Sequence, residues 1–397
     1  MKIIHTSDWH LGQNFYGYDR IEEHRNMVIQ LGQLIEREEP DALIIAGDIF
    51  DITYPSAMIQ KEFAEYIVAL HNKRPQMTIV CISGNHDSAS RHEVFQTPWE
   101  ALNVKMIGKT DFDNPLENIV RISDKGTIVA VPYTNERFLT DEFFKEIEKR
   151  AVQITHPDLP IIFAGHLAIQ GSNFSGHNIM NDRFIGGIES TPLERIGTIY
   201  DYFALGHIHK GQTFGNGKAR YCSSPIPVSF DEVNSGYEHS FSVVEIEKRN
   251  SPAQISTHQI SLLSPLINIP AEGFEKWDNV IAQLKNFPAD LEAYIRLNVL
   301  LKGEEDSLPY NRDSLIKGAL EGKKGRFATI NTAREVTKED DSENSLSKSM
   351  TMEELAQTDP IDILKNHAQQ NNYQFTEEFQ RLFNIVIREI NEREDED

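Results

Sequence analysis

Five short clusters carry the residue types that hold divalent metal ions. They are Asp8 with His10; Gly47, Asp48 and Asp51; Gly84, Asn85, His86 and Asp87; Gly165 with His166; and Gly206, His207 and His209. Asp, Asn and His donors suit borderline ions such as Mn²⁺, Fe²⁺ or Zn²⁺. Asp8 with His10, and His207 with His209, stand two residues apart. In extended backbone such residues point the same way, so each pair is expected to form a clamp. The donors are too many for one tetrahedral ion and enough for two. Two ions roughly 3.5–4 Å apart suit displacement at a phosphate ester, because they hold its oxygens and lower the pKa of a water nucleophile. Asp48, in the middle of the set, is the natural bridge. Each cluster alone is weak, since Gly-Asp after a strand is often only turn chemistry. Together and in order, the five point to a dinuclear site.

The elements that must position these side chains are also legible. The runs Lys2–Thr6, Ala42–Ala46, Thr78–Ile82, Ile161–Ala164 and Tyr202–Leu205 precede the five clusters in turn, and Thr127–Val131 is a sixth of the same kind. Such continuous apolar runs suit strands buried on both faces. Ligands of open α/β sheets bind beyond the carboxyl ends of strands, so the clusters are expected to converge on one crevice. Arg20–Glu38 repeats Ile21, Met27, Val28, Leu31, Leu34 and Ile35 at helical spacing, and Pro40 follows as a stop. Strand-like segments near Arg220–Ser223, Phe241–Ile246 and Thr257–Ile260 then follow without long helices. An α/β body closing on antiparallel strands fits that order.

Leu262–Pro270 contains two prolines and reads as a linker. It divides an α/β domain over 1–265 from a small α/β module over 270–335. Helices are expected there at Trp277–Leu284 and Arg312–Leu320, and strands at Tyr294–Leu301 and Arg326–Ile330. Residues 336–350 are poor in apolar side chains and read as a tether. Residues 351–397 read as a helical region, with Phe375, Phe379, Leu382, Phe383, Val386 and Ile390 on one stripe.

With 397 residues, 39% hydrophobic and 25% charged, the composition excludes collagen-like and wholly disordered chains. Cys81 and Cys222 are the only cysteines, which excludes a disulfide framework and suits a reducing compartment. The start MKIIHTSDWH lacks the apolar core of a signal peptide, and no apolar run approaches the roughly 18 residues that span a bilayer. A soluble, cytoplasmic protein is expected. Among 14 histidines, His5 reads as a satisfied core residue, and His24, His71, His92, His156, His239, His258 and His367 as surface or packing residues. His177, in a polar loop, is a candidate to line the cleft. The net charge of −22 by itself argues against a nonspecific nucleic-acid coat. It is unevenly spread, however. Glu335–Asp397 holds 17 acidic and 6 basic residues, whereas Lys302–Arg334 holds 7 basic and 5 acidic ones.

Asp8-Trp9-His10, Gly47-Asp48-Ile49-Phe50-Asp51, Gly84-Asn85-His86-Asp87, Gly165-His166 and Gly206-His207-Ile208-His209 resemble the five motifs of the calcineurin-like metallophosphoesterases. The resemblance implies a two-sheet sandwich flanked by helices and two divalent ions, usually manganese. It implies Asp8, His10, Asp48 and His209 around one ion, and Asp48, Asn85, His166 and His207 around the other. It also implies a carboxylate–imidazole pair between Asp51 and His86. That pair would raise the ring's pKa and favour a protonated general acid near the leaving oxygen.

At MKIIHTSDWHLGQ, ALGHIHKGQ and Tyr221–Phe230 the resemblance narrows to the bacterial DNA-end-processing nucleases of that family. This implies exo- and endonuclease activity in repair and recombination, with metal-activated water attacking the phosphodiester. It implies a homodimer through helices near Arg20–Glu38 or Ser56–His71, and a heterotetramer with two SbcC-type ATPase chains. The 375–390 stripe is then a docking helix for that ATPase. No G-x-x-x-x-G-K-[ST] motif occurs, which places ATP use in the partner. Lys317, Lys323, Lys324 and Arg326, around a Gly-Lys-Lys-Gly-Arg turn, are candidates for DNA backbone phosphates. A stand-alone metallophosphatase or cyclic-nucleotide phosphodiesterase would share the metal site without needing the small module. A non-catalytic clamp for an ATPase would not need the complete ligand set.

Overall fold

The computed structural model describes residues 1–335 apart from positions 95, 136–137, 174–189, 235 and 303–305. Fifteen strands lie in three sheets among the described residues. The first sheet takes β1 (Lys2–Thr6), β2 (Ala42–Ala46), β3 (Thr78–Ile82) and β4 (Val104–Ile107). These run parallel, as crossover helices require. The second sheet takes β5 (Ile119–Ile122), β6 (Gly126–Val131), β7 (Ile161–His166), β8 (Tyr202–Gly206), β9 (Gln212–Phe214) and β10 (Ala219–Tyr221), in the order β5-β6-β7-β8-β10-β9. Strands β11 (Ser240–Glu245) and β12 (Gln254–Gln259) return to the first sheet and close its edge antiparallel beside β1.

The strand β2 shows why these apolar runs fold as they do. All five of its residues are buried. Leu43 and Ile45 pack with the helices Ile21–Glu38 and Ala57–Lys73, whereas Ala42, Ile44 and Ala46 enter the core between the two sheets. A strand covered on both faces needs no polar alternation. Ile128, Ala130, Ile162, Ala164 and Ala204 supply the opposite wall of that inner core. The helix Asp141–Ile154 covers the outer face of the second sheet through Phe143, Phe144 and Ile147. Ser56 and Thr140 cap their helices, accepting from the main-chain N–H groups of Ile59 and Phe143. The layers are therefore helix, sheet, sheet, helix, as expected of the sandwich.

The third sheet is β13 (Leu266–Ile269), β14 (Tyr294–Lys302) and β15 (Arg326–Glu335), all parallel. Helices Trp277–Lys285 and Arg312–Ala319 cover it. This corrects the linker reading of Leu262–Pro270. Leu266–Ile269 is a strand, and the two prolines bracket it rather than break it. The small module is joined to the sandwich by a cluster of Phe15, Phe230, Leu266 and Tyr294. Tyr294 donates to Glu23 Oε1 at 2.6 Å, and Tyr18 donates to the Phe327 carbonyl at 3.1 Å. The sandwich and small module fall in one compact unit, Met1–Ile179 with Ser190–Val336. The expected tether at 336–350 and helical region at 351–397 lie outside the described residues.

Candidate metal centre

Three clusters follow β1, β2 and β3, Gly165 and His166 end β7, and the last cluster begins at the final residue of β8, so all five meet at the carboxyl ends of both sheets. The clamps are not extended. Asp8, His10, Asp48 and His207 have φ of +54°, +47°, +48° and +97°. The chain turns left-handed as it leaves β1, β2 and β8, and cross-loop hydrogen bonds hold it there. Asp8 N–H donates to the Gly47 carbonyl at 2.9 Å, and His10 N–H to the Asp48 carbonyl at 3.1 Å. Such conformations cost roughly 1–3 kcal/mol each and persist where surrounding structure over-determines them.

Overlapping donor groups result: Asp8 is common to the two described next, and Asp48 also groups with His10 and His86. Donor atoms of Asp8, His10 and His209 lie within 4.8 Å of one another, as do those of Asp8, Asp48 and His166. Asp48 Oδ2 is 3.9 Å from His10 Nε2 and 3.3 Å from His166 Nε2. Asn85 Oδ1 lies 3.0 Å from His166 Nε2 and 3.1 Å from His207 Nδ1. The other Asp48 oxygen accepts from His86 N–H at 2.9 Å. Asp8 Oδ1 accepts from His207 N–H at 3.1 Å, and Ser7 Oγ bonds its second oxygen. Two glycines make this closeness possible. A Cβ on Gly84 would sit 2.1 Å from Asp48 Oδ1, and one on Gly47 would sit 2.2 Å from His166 Nδ1.

The donor set fits cations. His10 Nε2 and His209 Nε2 face each other at 3.2 Å. Behind each ring stands a carboxylate: Asp51 Oδ1 at 3.4 Å from His10 Nδ1, and Glu232 Oε1 at 3.3 Å from His209 Nδ1. The contact behind His209 is a hydrogen bond, whereas Asp51 stands at ion-pair distance from His10 Nδ1, which has no hydrogen-bond partner among the described residues; a ring held from behind by an acceptor presents its other nitrogen to a metal. His166 does likewise, its Nδ1 donating to the Ala46 carbonyl at 2.8 Å. The carboxylates around two of these rings favour their protonated form. Burial lowers the pKa of His10, but Asp51, Asp48 and Asp8 more than offset it and raise it to about 9. Burial opposed by Asp48 leaves His166 likewise at about 9. Burial tends to raise the Asp48 pKa, yet His166 beside it holds the carboxyl well below its usual range.

The family model for calcineurin-like phosphoesterases matches residues 1–211. The chain belongs to that family. Among curated relatives, this phosphoesterase is 28% identical over 314 residues to the SbcD subunit of nuclease SbcCD from Rhodobacter capsulatus, covering 72% of this chain and 75% of that protein. It is 29% identical over 305 residues to the corresponding SbcCD nuclease subunit of Escherichia coli K12, covering 70% and 75%. It is 29% identical over 287 residues to the Bacillus subtilis protein of the same name, covering 66% and 70%.

Within the phosphoesterase site one expected pair is not formed. The Asp51 carboxylate faces His10, and His86 instead bonds the Asp51 main-chain carbonyl through Nδ1 at 2.8 Å. The turn after Asp48 aims the carbonyl and side chain of Asp51 at different rings. His86 is half-buried, its ring 4.9 Å from that of His10. His177 lies outside the described residues, as do Phe375, Phe379, Leu382, Phe383, Val386, Ile390 and His367. Burial pulls His5, His24 and His239 down to about 3, 3 and 4, so these rings are neutral packing residues. His5 Nδ1 bonds the Tyr202 hydroxyl at 3.0 Å, but its Nε2 has no hydrogen-bond partner among the described residues.

The four basic candidates divide. Lys323 donates to the Leu284 carbonyl at 3.1 Å and to Lys285, closing the end of helix Trp277–Lys285. Arg326 pairs with Glu292 and bonds the Tyr294 hydroxyl at 3.1 Å. Lys317 and Lys324 are exposed. Two acids carry site structure that sequence reasoning gave no role. Asp87 accepts from the N–H groups of Ile49, Phe50 and Gly84 at 3.1, 2.9 and 2.8 Å, tying the third cluster to the second. Glu232, 23 positions beyond His209, stands behind that ring. No spacing rule links the two, so only the fold brings them together.

Among the described residues no helix is long and apolar enough to cross a membrane.

Proposed function

We propose that this phosphoesterase hydrolyses DNA phosphodiester bonds as a dinuclear-metal nuclease, working with an SbcC-type ATPase in DNA end processing, repair and recombination. The observation that carries the reading is the position of Asp48 Oδ2 between the ring nitrogens of His10 and His166, at 3.9 and 3.3 Å. Asp8, His10, Asp48 and His209 would hold one ion, and Asp48, Asn85, His166 and His207 the other. Two divalent ions, manganese by the family resemblance, would clamp the phosphate oxygens and activate a water nucleophile.

The chain's own residues do the rest. Asp51 and Glu232 orient their histidines. Asp87 fixes the loop that carries Asn85 and His86. His86 keeps Nδ1 on the Asp51 carbonyl, so a proton for the departing sugar oxygen comes from Nε2 of the imidazolium. Asp51 therefore acts on the metal side, and the carbonyl of the same residue acts on the acid.

DNA is favoured over a small phosphate ester because the likeness to nuclease subunits extends well past residue 211, across up to 314 residues. Lys317 and Lys324 are the exposed cations for backbone phosphates. Exposed Ile29, Met58 and Val68, on helices Ile21–Glu38 and Ala57–Lys73, support a homodimer face there. The heterotetramer with two ATPase chains, and a cytoplasmic, nucleoid-associated location, belong to the same proposal.

The test incubates the purified chain, with Mn²⁺, with linear duplex DNA, a single-stranded hairpin and a chromogenic phosphodiester, each with and without an SbcC-type ATPase and ATP. Metal-dependent DNA cleavage that Asp48→Asn abolishes is expected. Cleavage of the chromogenic ester alone, with DNA intact even beside the ATPase, would establish the small-ester phosphodiesterase instead. No cleavage of either would leave the clamp reading.

A further inference from the structure

The geometry points to Glu232 as a positioning residue for the metal ligand His209, and to the small module as the anchor of the helix that carries it. We propose that Glu232 Oε1 accepts the Nδ1 proton of His209, so that Nε2 stays aimed at an ion. This rests on the two-ion reading above and deepens it.

Glu232 is 1% exposed and lies in the short helix Asp231–Asn234. Its Oε1 is 3.3 Å from His209 Nδ1, and its Oε2 is 3.8 Å from His239 Nε2. The Val228 N–H donates to both oxygens, at 3.3 and 3.2 Å, which fixes the carboxyl plane. An imidazole that binds a metal through Nε2 carries its proton on Nδ1, and a buried N–H needs an acceptor. Oε1 accepts whether or not the other oxygen is protonated, so the role does not depend on ionisation.

The helix is gripped from its other side. Asp231 Oδ1 pairs with Arg296 Nη1 at 3.3 Å, and Arg296 Nη2 donates to the Phe230 carbonyl at 3.4 Å. The Arg296 guanidinium also lies 5.1 Å from the centre of the Phe230 ring. Arg296 belongs to β14, where its Nε donates to Asn268 Oδ1 of β13 at 2.9 Å. Consecutive residues thus face the third sheet and the metal ligands. A displacement of that sheet would reach His209 through one turn of helix.

The experiment titrates the full chain with Mn²⁺ by electron paramagnetic resonance, counting ions bound and their affinities. Thermal melting in chelator checks the fold of each variant. Glu232→Ala is expected to bind one of the two ions about 10–100-fold more weakly. Glu232→Gln, whose amide oxygen can accept the same bond, is expected to stay within about threefold of wild type. Glu232→Met keeps length without an acceptor and replaces the alanine variant should that fail to fold. Arg296→Ala, which touches no ligand, is expected to weaken the same ion about two- to thirtyfold. Wild-type affinity in Glu232→Ala or Glu232→Met, or equal damage in Glu232→Gln, overturns the positioning role. Wild-type affinity in Arg296→Ala overturns the anchor. A wild-type chain that binds no Mn²⁺ overturns the two-ion reading itself.

Discussion

Raising the pH from 7 to 9 should tighten Mn²⁺ binding by about 50-fold per ion, because protons occupy the nitrogens that the ions need. Without metal, His10 and His166 are raised to about 9 from the ordinary 6.5. One stands in each donor group. Well below that value each ion must displace a proton from a ring, a penalty of close to tenfold per pH unit that eases to about twofold at pH 9 itself. Above 9 the dependence should flatten. The fold carries the opposite sign. A histidine whose folded pKa is raised adds stability that is complete below 6.5 and vanishes as pH climbs through 9. For these fully buried rings that amounts to at most about 3 kcal/mol each. Metal-free protein should therefore melt lower as pH rises across that window, while protein saturated with Mn²⁺ should be much less affected. Calorimetric titration in buffers of different ionisation enthalpy, under argon, counts the protons: close to one released per ion at pH 7.5. Affinity flat between pH 7 and 9, with no proton release, would refute the placement of these rings at the ions.

Four further outcomes are expected. Gly84→Ala should abolish metal binding, because its Cβ would meet Asp48 Oδ1 at 2.1 Å and must drive that carboxylate out; a variant that binds two ions normally would contradict it. His86→Ala should slow cleavage by about 10²–10⁴-fold with metal stoichiometry intact; full manganese-dependent nuclease activity in that variant removes the general-acid role. Asp51→Ala should instead weaken the metal beside His10, about 10–100-fold by the same calorimetry, whereas an activity loss at unchanged affinity would return its carboxylate to His86. Isolated chain should bind DNA weakly and with steep salt dependence, and Lys317→Ala and Lys324→Ala should each reduce the salt slope by about one; tight, salt-resistant binding by the chain alone would count against the charge argument.

The motif clusters named residues that the fold does bring together, but not which atom of each faces which neighbour. Asp51 shows the difference. The family resemblance implies its carboxylate as a partner for His86, and Asp51 does bond that ring, but through a carbonyl that every residue type possesses. The carboxylate, the part that makes it an aspartate, serves His10 instead. A sequence can mark a side chain as functional without fixing its direction when the backbone leaves the extended form. Asp8, His10, Asp48 and His207 all do so at positive φ, which only local hydrogen bonding and packing select. The strands were legible because burial on both faces writes itself as an unbroken apolar run. Leu266–Ile269 was not, since four residues between prolines look like a connection until β14 pairs with them. Glu232 was least legible of all. It reaches His209 from the next short helix, and that helix is set in place by Arg296 from a third sheet. Information of that kind is held in three elements at once, so a change in any one of them should register at the metal, and a test confined to the ligands would miss it.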